Sequence, residues 1–396
     1  MKEFQDVYIT GMGLASAAGD LAATHAALHS GQHSLQQAEG VPVGFLHEDI
    51  RRRLDRMAED RPWSWHDRAV LLGVHAAGEA MAAADQSAAS GGPRRGVVVG
   101  TSRGATALLE DSIGGFQRTG RIDNGRTSPT STGGVFSSAL AGEFHCEGFA
   151  STLSAACSSG LNAVGMAWLM LRQGFLREAL AGGTEVSATP FTIEILKAAG
   201  VYGRHRQEEP WPCRPFHPER NGMVLGEGAA MLFLSSAPPR GAGPLARIHG
   251  FGAATEQGRS LTGTSDHAGG LQQAMAAALS TAEIGIDRIG LIICHGTGTV
   301  KGDAAEQRGI RQFFGDQHPP LVCHKWLTGH ALGASAVLSL CLGVRHLGAG
   351  MVPGHPYFAG TDHVMARPVE VDRSRLMMVL SQGFGGHCAA LIAGLP

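Results

Sequence analysis

The chain lacks any long apolar run. No stretch of about 18 uninterrupted apolar residues occurs, so no membrane span is expected. It also lacks a basic excess. Formal net charge is -2 over 396 residues, which leaves no overall positive field for nucleic acid or anionic lipid. A local basic patch for an acidic protein partner stays compatible with that balance. The seven cysteines (Cys146, Cys157, Cys213, Cys294, Cys323, Cys341, Cys388) are scattered, odd in number and never in a CxxC pair. That argues against a disulfide framework or zinc site and for reduced thiols in a cytoplasm. The 19 histidines include no HExxH and no clustered Cys/His spacing, so no metal site is expected. The start, "MKEFQDVYITGMGLASAAGD", is acidic and mixed where a signal peptide is basic and then apolar. No phosphate-loop GxxxxGK[ST] and no low-complexity tract occur.

What is present is apolar content of 43% and 57 glycines, enough for two domain-sized cores with close packing and tight turns. Short apolar runs alternate with helical patterns, which predicts βαβ units and a layered α/β fold. Strands are expected at "DVYITGMG" (6–13, ending in a Gly turn), "RRGVVVGTS" (94–102), "EALAGGTE" (178–185) and "GAAMLFLSS" (228–236). In the second half they fall at "IGLIICHG" (289–296), "PPLVCHK" (319–325), "LMMVLSQG" (376–383) and "CAALIAG" (388–394). Helical periodicity marks 158–173, 270–284 and 331–348. The two halves share an outline, and the Pro/Gly-rich "SSAPPRGAGP" (235–244) separates them. The expected units are 1–240 and 241–396.

Cys157 precedes a helix whose apolar face carries Leu161, Val164, Trp168 and Leu171. A thiol there meets unpaired backbone N–H groups and the positive end of the helix dipole, both favouring thiolate. Taken alone, a buried inert cysteine is the plainer reading. In "CHGTGT" (294–299), His295 lies where a strand ends and a Gly-rich loop begins, with Thr297 and Thr299 between glycines. In "HKWLTGHALGASA" (324–336), Lys325 and His330 follow another strand. "SQGFGGHC" (381–388) joins two strands through glycines flanking Phe384, exposing backbone N–H groups suited to an oxyanion hole. Each of these also reads as a simple turn, cap or hairpin. "GTSRG" (100–104) fits the G-x-S-x-G elbow of serine hydrolases, which would make Ser102 a nucleophile.

In this order the stretches "AACSSG" (155–160), "RPFHPERNGMVLGEGAAMLFL" (214–234), "CHGTGTVKGDAAE" (294–306), "KWLTGHALGASA" (325–336) and "GFGG" (383–386) resemble the elongating β-ketoacyl-[acyl-carrier-protein] synthases, thiolase-fold condensing enzymes. The resemblance covers nearly the whole chain. It implies a thiolase fold, two similar βαβ-type halves stacked as α-β-α-β-α layers. It implies Cys157 as the acyl-accepting nucleophile, with His295 and His330 completing a Cys-His-His triad. Lys325 would support the histidines, with Glu306 as its partner. The amides of Cys157 and Phe384 would form an oxyanion hole, and Phe384 would gate the acyl pocket. Thr297 and Thr299 would hold the phosphopantetheine arm of an acyl carrier protein. The implied reaction is decarboxylative condensation of an acyl-Cys intermediate with malonyl carrier, with no cofactor. A dimer is implied too, the sheets continuing across it, either as a homodimer or with a related synthase or chain-length factor.

The sequence departs from the family pattern at His217 and Asn221, where Asp is usual, and at His387 and Cys388, where Thr-Asn is usual. Arg103 stands where relatives often place an apolar residue near the acyl pocket. These departures lean towards a specialised polyene or polyketide pathway. Chain-length factors usually lack the nucleophile, whereas Cys157, His295 and His330 are all kept. Arg204 and Arg206 are candidates for docking the acidic carrier, or plain solvated surface.

Overall fold

The computed structural model describes residues 4–60, 63–84, 92, 94–122, 124–204, 209–238, 243–256, 264–358 and 364–396. Its ten principal strands fall into two sets of five. The first set is β1 (Val7–Ser16), β2 (Arg95–Gly100), β3 (Ala150–Leu153), β4 (Glu178–Glu185) and β5 (Gly228–Ser235). The second is β6 (Ala246–Thr255), β7 (Ile289–Ile293), β8 (Leu321–Val322), β9 (Leu376–Gln382) and β10 (His387–Gly394). The spatial order is β1-β5-β4-β2-β3 in one set and β6-β10-β9-β7-β8 in the other. Numbered within each half, both orders are the same. The pairing directions match as well: the first two pairs are antiparallel and the last two parallel. The sets meet edge to edge where Val7–Ile9 pairs with Ala246–Ile248. The boundary expected at 240/241 falls on residues outside those described.

Helices cover the sheets on both sides. α1 (Arg68–Ala83), capped by Asp67 through the Ala69 amide, packs on β1 and β5. α2 (Ser159–Arg172) and α5 (Ser335–Ala349) touch each other and reach strands of both sets, so they form a shared middle layer. α3 (Gly269–Ala282) covers β6 and β10, with α4 (Val300–Phe314) beside it. The result is the α-β-α-β-α stack. The segment Leu332–Ala349 is long and apolar enough to cross a membrane by length and composition, but 83% of it is buried inside the protein. That burial is what a middle-layer helix needs, since both of its faces meet apolar surface.

Two expectations change in detail. The glycines of "DVYITGMG" make no turn, because β1 runs on to Ser16. A Cβ at Gly11 would lie 1.9 Å from the Ala80 carbonyl oxygen, and one at Gly13 2.0 Å from that of Ala76. These glycines let α1 lie directly on the strand. In "PPLVCHK" only Leu321 and Val322 pair, and the chain then turns into a short helix, Lys325–Thr328.

Candidate active site

The reactive residues sit at the ends of corresponding strands. Cys157 follows β3 and precedes α2; Lys325 and His330 follow β8 and precede α5. His295 follows β7, and Phe384 caps the β9–β10 hairpin in a short 3₁₀ turn. The matching topology of the halves therefore brings loops from both to one place. A cavity of about 470 Å³ is lined there by Cys157, His295, His330, Thr297, Thr299 and Phe384. Arg103 and Ser102 line it too. The fold thus brings these residues, singled out in the sequence, to one cavity.

Backbone constraint holds Cys157 in place. Ala156 has φ 49°, and Ser159 Oγ accepts the Ala155 amide at 2.8 Å. Ser381 Oγ donates to the Cys157 carbonyl at 3.2 Å, tying the turn to β9. A Cβ on Gly383 would sit 3.0 Å from the Cys157 nitrogen, so the Phe384 turn lies against the cysteine backbone only because residue 383 is glycine. Burial pushes the Cys157 thiol up to about 12, Lys325 pulls it down, and Glu185 adds to the rise. The thiolate expected from the helix end is outweighed in the resting site by loss of water.

The imidazoles face each other at 5.3 Å between ring centroids and 83° between planes. Burial and the Lys325 charge hold both well below the ordinary imidazole range; His330 adds to the effect on His295. Both are therefore neutral at physiological pH. His295 Nδ1 and His330 Nε2 are buried with no hydrogen-bond partner among the described residues. The His330 backbone is fixed at both faces, donating to Val224 O at 2.7 Å and accepting from Gly226 N at 3.0 Å. This gives the segment 214–234 a job that the sequence left unassigned.

Lys325 is buried and its ammonium donates to the His295 carbonyl. Burial lowers its pKa while Glu306 raises it. Glu306 reaches Lys325 only through its charge: its oxygens accept the amides of His295 at 2.6 Å and Gly296 at 2.8 Å. Burial pushes Glu306 up to about 7 against those amides. Asp303 was missed by the sequence reading. It takes the amides of Phe216, Thr297 and Gly298 at 2.7, 3.0 and 3.1 Å, stitching two motifs together. Its position in the first turn of α4 was the available signal. Thr297 and Thr299 share a hydroxyl contact of 3.0 Å at the cavity wall.

Ser102 does not form a nucleophile elbow. The carboxylate of Glu185 takes the Ser102 amide at 2.7 Å and the Arg103 amide at 3.1 Å. The second of these is the amide an elbow would offer to an oxyanion. No hydrogen bond joins the Ser102 hydroxyl to an imidazole among the described residues. Arg204 is exposed, and its carbonyl accepts from the cavity residue Asn221 at 2.6 Å. Arg206 lies outside the described residues.

Known proteins are similar along most of the chain. A 3-oxoacyl-[acyl-carrier-protein] synthase 2 of Vibrio cholerae is 28% identical over 415 residues, covering 98% of each chain. The tetracenomycin polyketide synthase ketoacyl synthase alpha subunit of Streptomyces glaucescens is 29% identical, covering 85% of this chain and 83% of its own. Nodulation protein E of a Rhizobium strain is 31% identical, covering 81% and 78%. The solved structure of the ishigamide ketosynthase/chain length factor superposes with a TM-score of 0.88 at 26% identity, over 99% of this chain and all of that one. These likenesses identify the five-layer stack as the thiolase fold. Residues 5–239 match the family described as "Beta-ketoacyl synthase, N-terminal domain" and residues 245–358 "Beta-ketoacyl synthase, C-terminal domain"; the chain belongs to the β-ketoacyl synthase family.

Proposed function

We propose that the protein is a β-ketoacyl-[acyl-carrier-protein] synthase in which Cys157 carries the growing acyl chain. The observation that supports this best is the convergence of Cys157 and two neutral imidazoles on a single cavity. The Cys157 sulfur attacks an acyl-carrier thioester, and its proton leaves with the carrier thiol. The amides of Cys157 and Phe384 receive the tetrahedral oxyanion. Malonyl carrier then enters along Thr297 and Thr299 and loses carbon dioxide. His295 and His330 donate to the thioester oxygen of the resulting enolate. Its carbon attacks the acyl-Cys157 carbonyl, forming the new carbon–carbon bond and expelling the Cys157 thiolate, which is reprotonated. Lys325 keeps the imidazoles neutral, and Glu306 and Asp303 fix the loop that carries His295. Phe384, 37% exposed at the cavity, gates the acyl side.

The units 1–240 and 241–396 each supply part of the site. The protein works in the cytoplasm as a dimer, either of identical chains or with a related synthase or chain-length factor. The edge position of β3 supports sheet continuation across such a dimer. Arg204 faces the carrier at the cavity mouth. Arg103 and the changes at His217, Asn221, His387 and Cys388 support a polyene or polyketide pathway over housekeeping elongation.

The test is to incubate the protein with acyl carrier and map the acyl group by mass spectrometry. Label on Cys157, and loss of condensation in Cys157→Ala, are expected. Active protein with an unlabelled Cys157 overturns the reading. An unlabelled, inactive protein that supports a partner synthase would make it a chain-length factor.

A further inference from the structure

His330 has one ring nitrogen without a partner and one with a partner that no role yet explains. Its Nδ1 lies 2.8 Å from Ser335 Oγ, and both side chains are buried, at 1% and 4% exposure. Ser335 is the first residue of α5, a place where serine commonly serves the helix end. Here it does not: the N-cap is Ala334, and no side chain caps that end. The hydroxyl has no other hydrogen bond among the described residues. Its single partner is the imidazole.

That contact has two possible proton arrangements. If Nδ1–H donates to Ser335, the serine O–H is left buried with no acceptor. A buried orphan donor of that kind is costly. If Ser335 O–H donates to Nδ1, only serine lone pairs go unused. The second arrangement places the imidazole proton on Nε2, the atom left unpartnered.

We infer that Ser335 is a positioning residue that sets the His330 tautomer, presenting Nε2–H as a ready-made donor to the enolate oxygen. The inference rests on the condensing function proposed above. It separates two roles within the pair: His330 enters the reaction as a donor and not as a base. Acyl transfer to Cys157, which uses backbone amides, does not depend on Ser335. Decarboxylation and condensation do.

The test uses the full-length protein with ¹⁵N-labelled histidine, His330 being assigned by the signal lost in His330→Gln. Nitrogen shifts of the Nε2–H tautomer are expected in the unmodified protein, and Nδ1–H shifts would overturn the inference. In kinetics, Ser335→Ala is expected to lower kcat for condensation roughly five- to tenfold, about the worth of one hydrogen bond. The rate of Cys157 acylation should be unchanged, and Ser335→Thr should restore most of kcat. Full condensation by Ser335→Ala would also overturn it. Absence of condensation by the unmodified protein would instead defeat the functional reading on which the inference depends.

Discussion

Lys325 is the residue on which the charge state of the site depends. It lies buried between two imidazoles, a glutamate and the cysteine, and its charge opposes protonation of both His295 and His330. Replacing it with an uncharged side chain removes that opposition, so both imidazoles become easier to protonate. The acid limb of the condensation pH profile of Lys325→Met is therefore expected to move up by roughly one unit or more. An unmoved limb would show that the lysine acts only through its hydrogen bond to the His295 carbonyl. Arg103 poses a different residue-level question. Its amide is pinned by Glu185, the residue lines the cavity, and its guanidinium makes no hydrogen bond or ion pair among the described residues. Arg103→Ala is expected to change the ranking of acyl-carrier substrates by chain length and oxygenation in a competition assay. An unchanged ranking would remove it from the acyl pocket.

Elements meet here at backbone distance, and the contact of α1 with β1 is the clearest case. Gly11→Ala places a methyl group where the Ala80 carbonyl already stands. The helix must then move off the strand, at a cost of about 1–3 kcal/mol or more. A lowered melting temperature with unchanged helix content by circular dichroism is expected, and an unaltered melting temperature would contradict the packing. The same contact shows what the sequence makes legible. Strands rich in Val, Ile and Leu, such as β2 and β7, announce themselves by composition. β6 was not anticipated, because "ARIHGFGAAT" alternates buried and partly buried positions using Gly, Ala and His in place of branched residues. Cys157, His295, His330 and Phe384 lie in turns at strand ends that taken singly read as plain turns, and only the order of their motifs along the chain singled them out. The helpers were less legible. Asp303, Glu185 and Ser335 act through hydrogen bonds to residues distant in sequence or to a ring nitrogen, and no local pattern signals those partners.

For the molecule as a whole, burial of imidazoles sets the response to acid. Burial holds His75 and His249 down to about 4 and His346 to about 3, and holds His295, His324 and His330 well below the ordinary value. Below about pH 6.5 the unfolded chain binds these protons and the folded chain does not, so stability falls as pH falls. Glu185 and Glu306, pushed up to about 7 by burial, work the other way, because the folded chain takes up their protons first. Burial also lowers His25, His33 and His217 and raises Asp67, Glu79, Glu227 and Asp303, so among the described residues nine imidazoles stand against six carboxyls and the imidazoles outweigh them. The melting temperature is expected to decline steadily from about pH 7 to pH 5 in a thermal scan; a constant or rising value would contradict the balance. The middle layer has a further consequence, for synthesis on the ribosome. The inner face of the first sheet is closed partly by α5, which contacts β5 yet ends only at Ala349. The N-terminal half therefore emerges with part of that face bare and waits for a distant helix to be translated. A message cut short before Ser335 would yield a sticky intermediate that burdens chaperones, not a smaller protein with half the function.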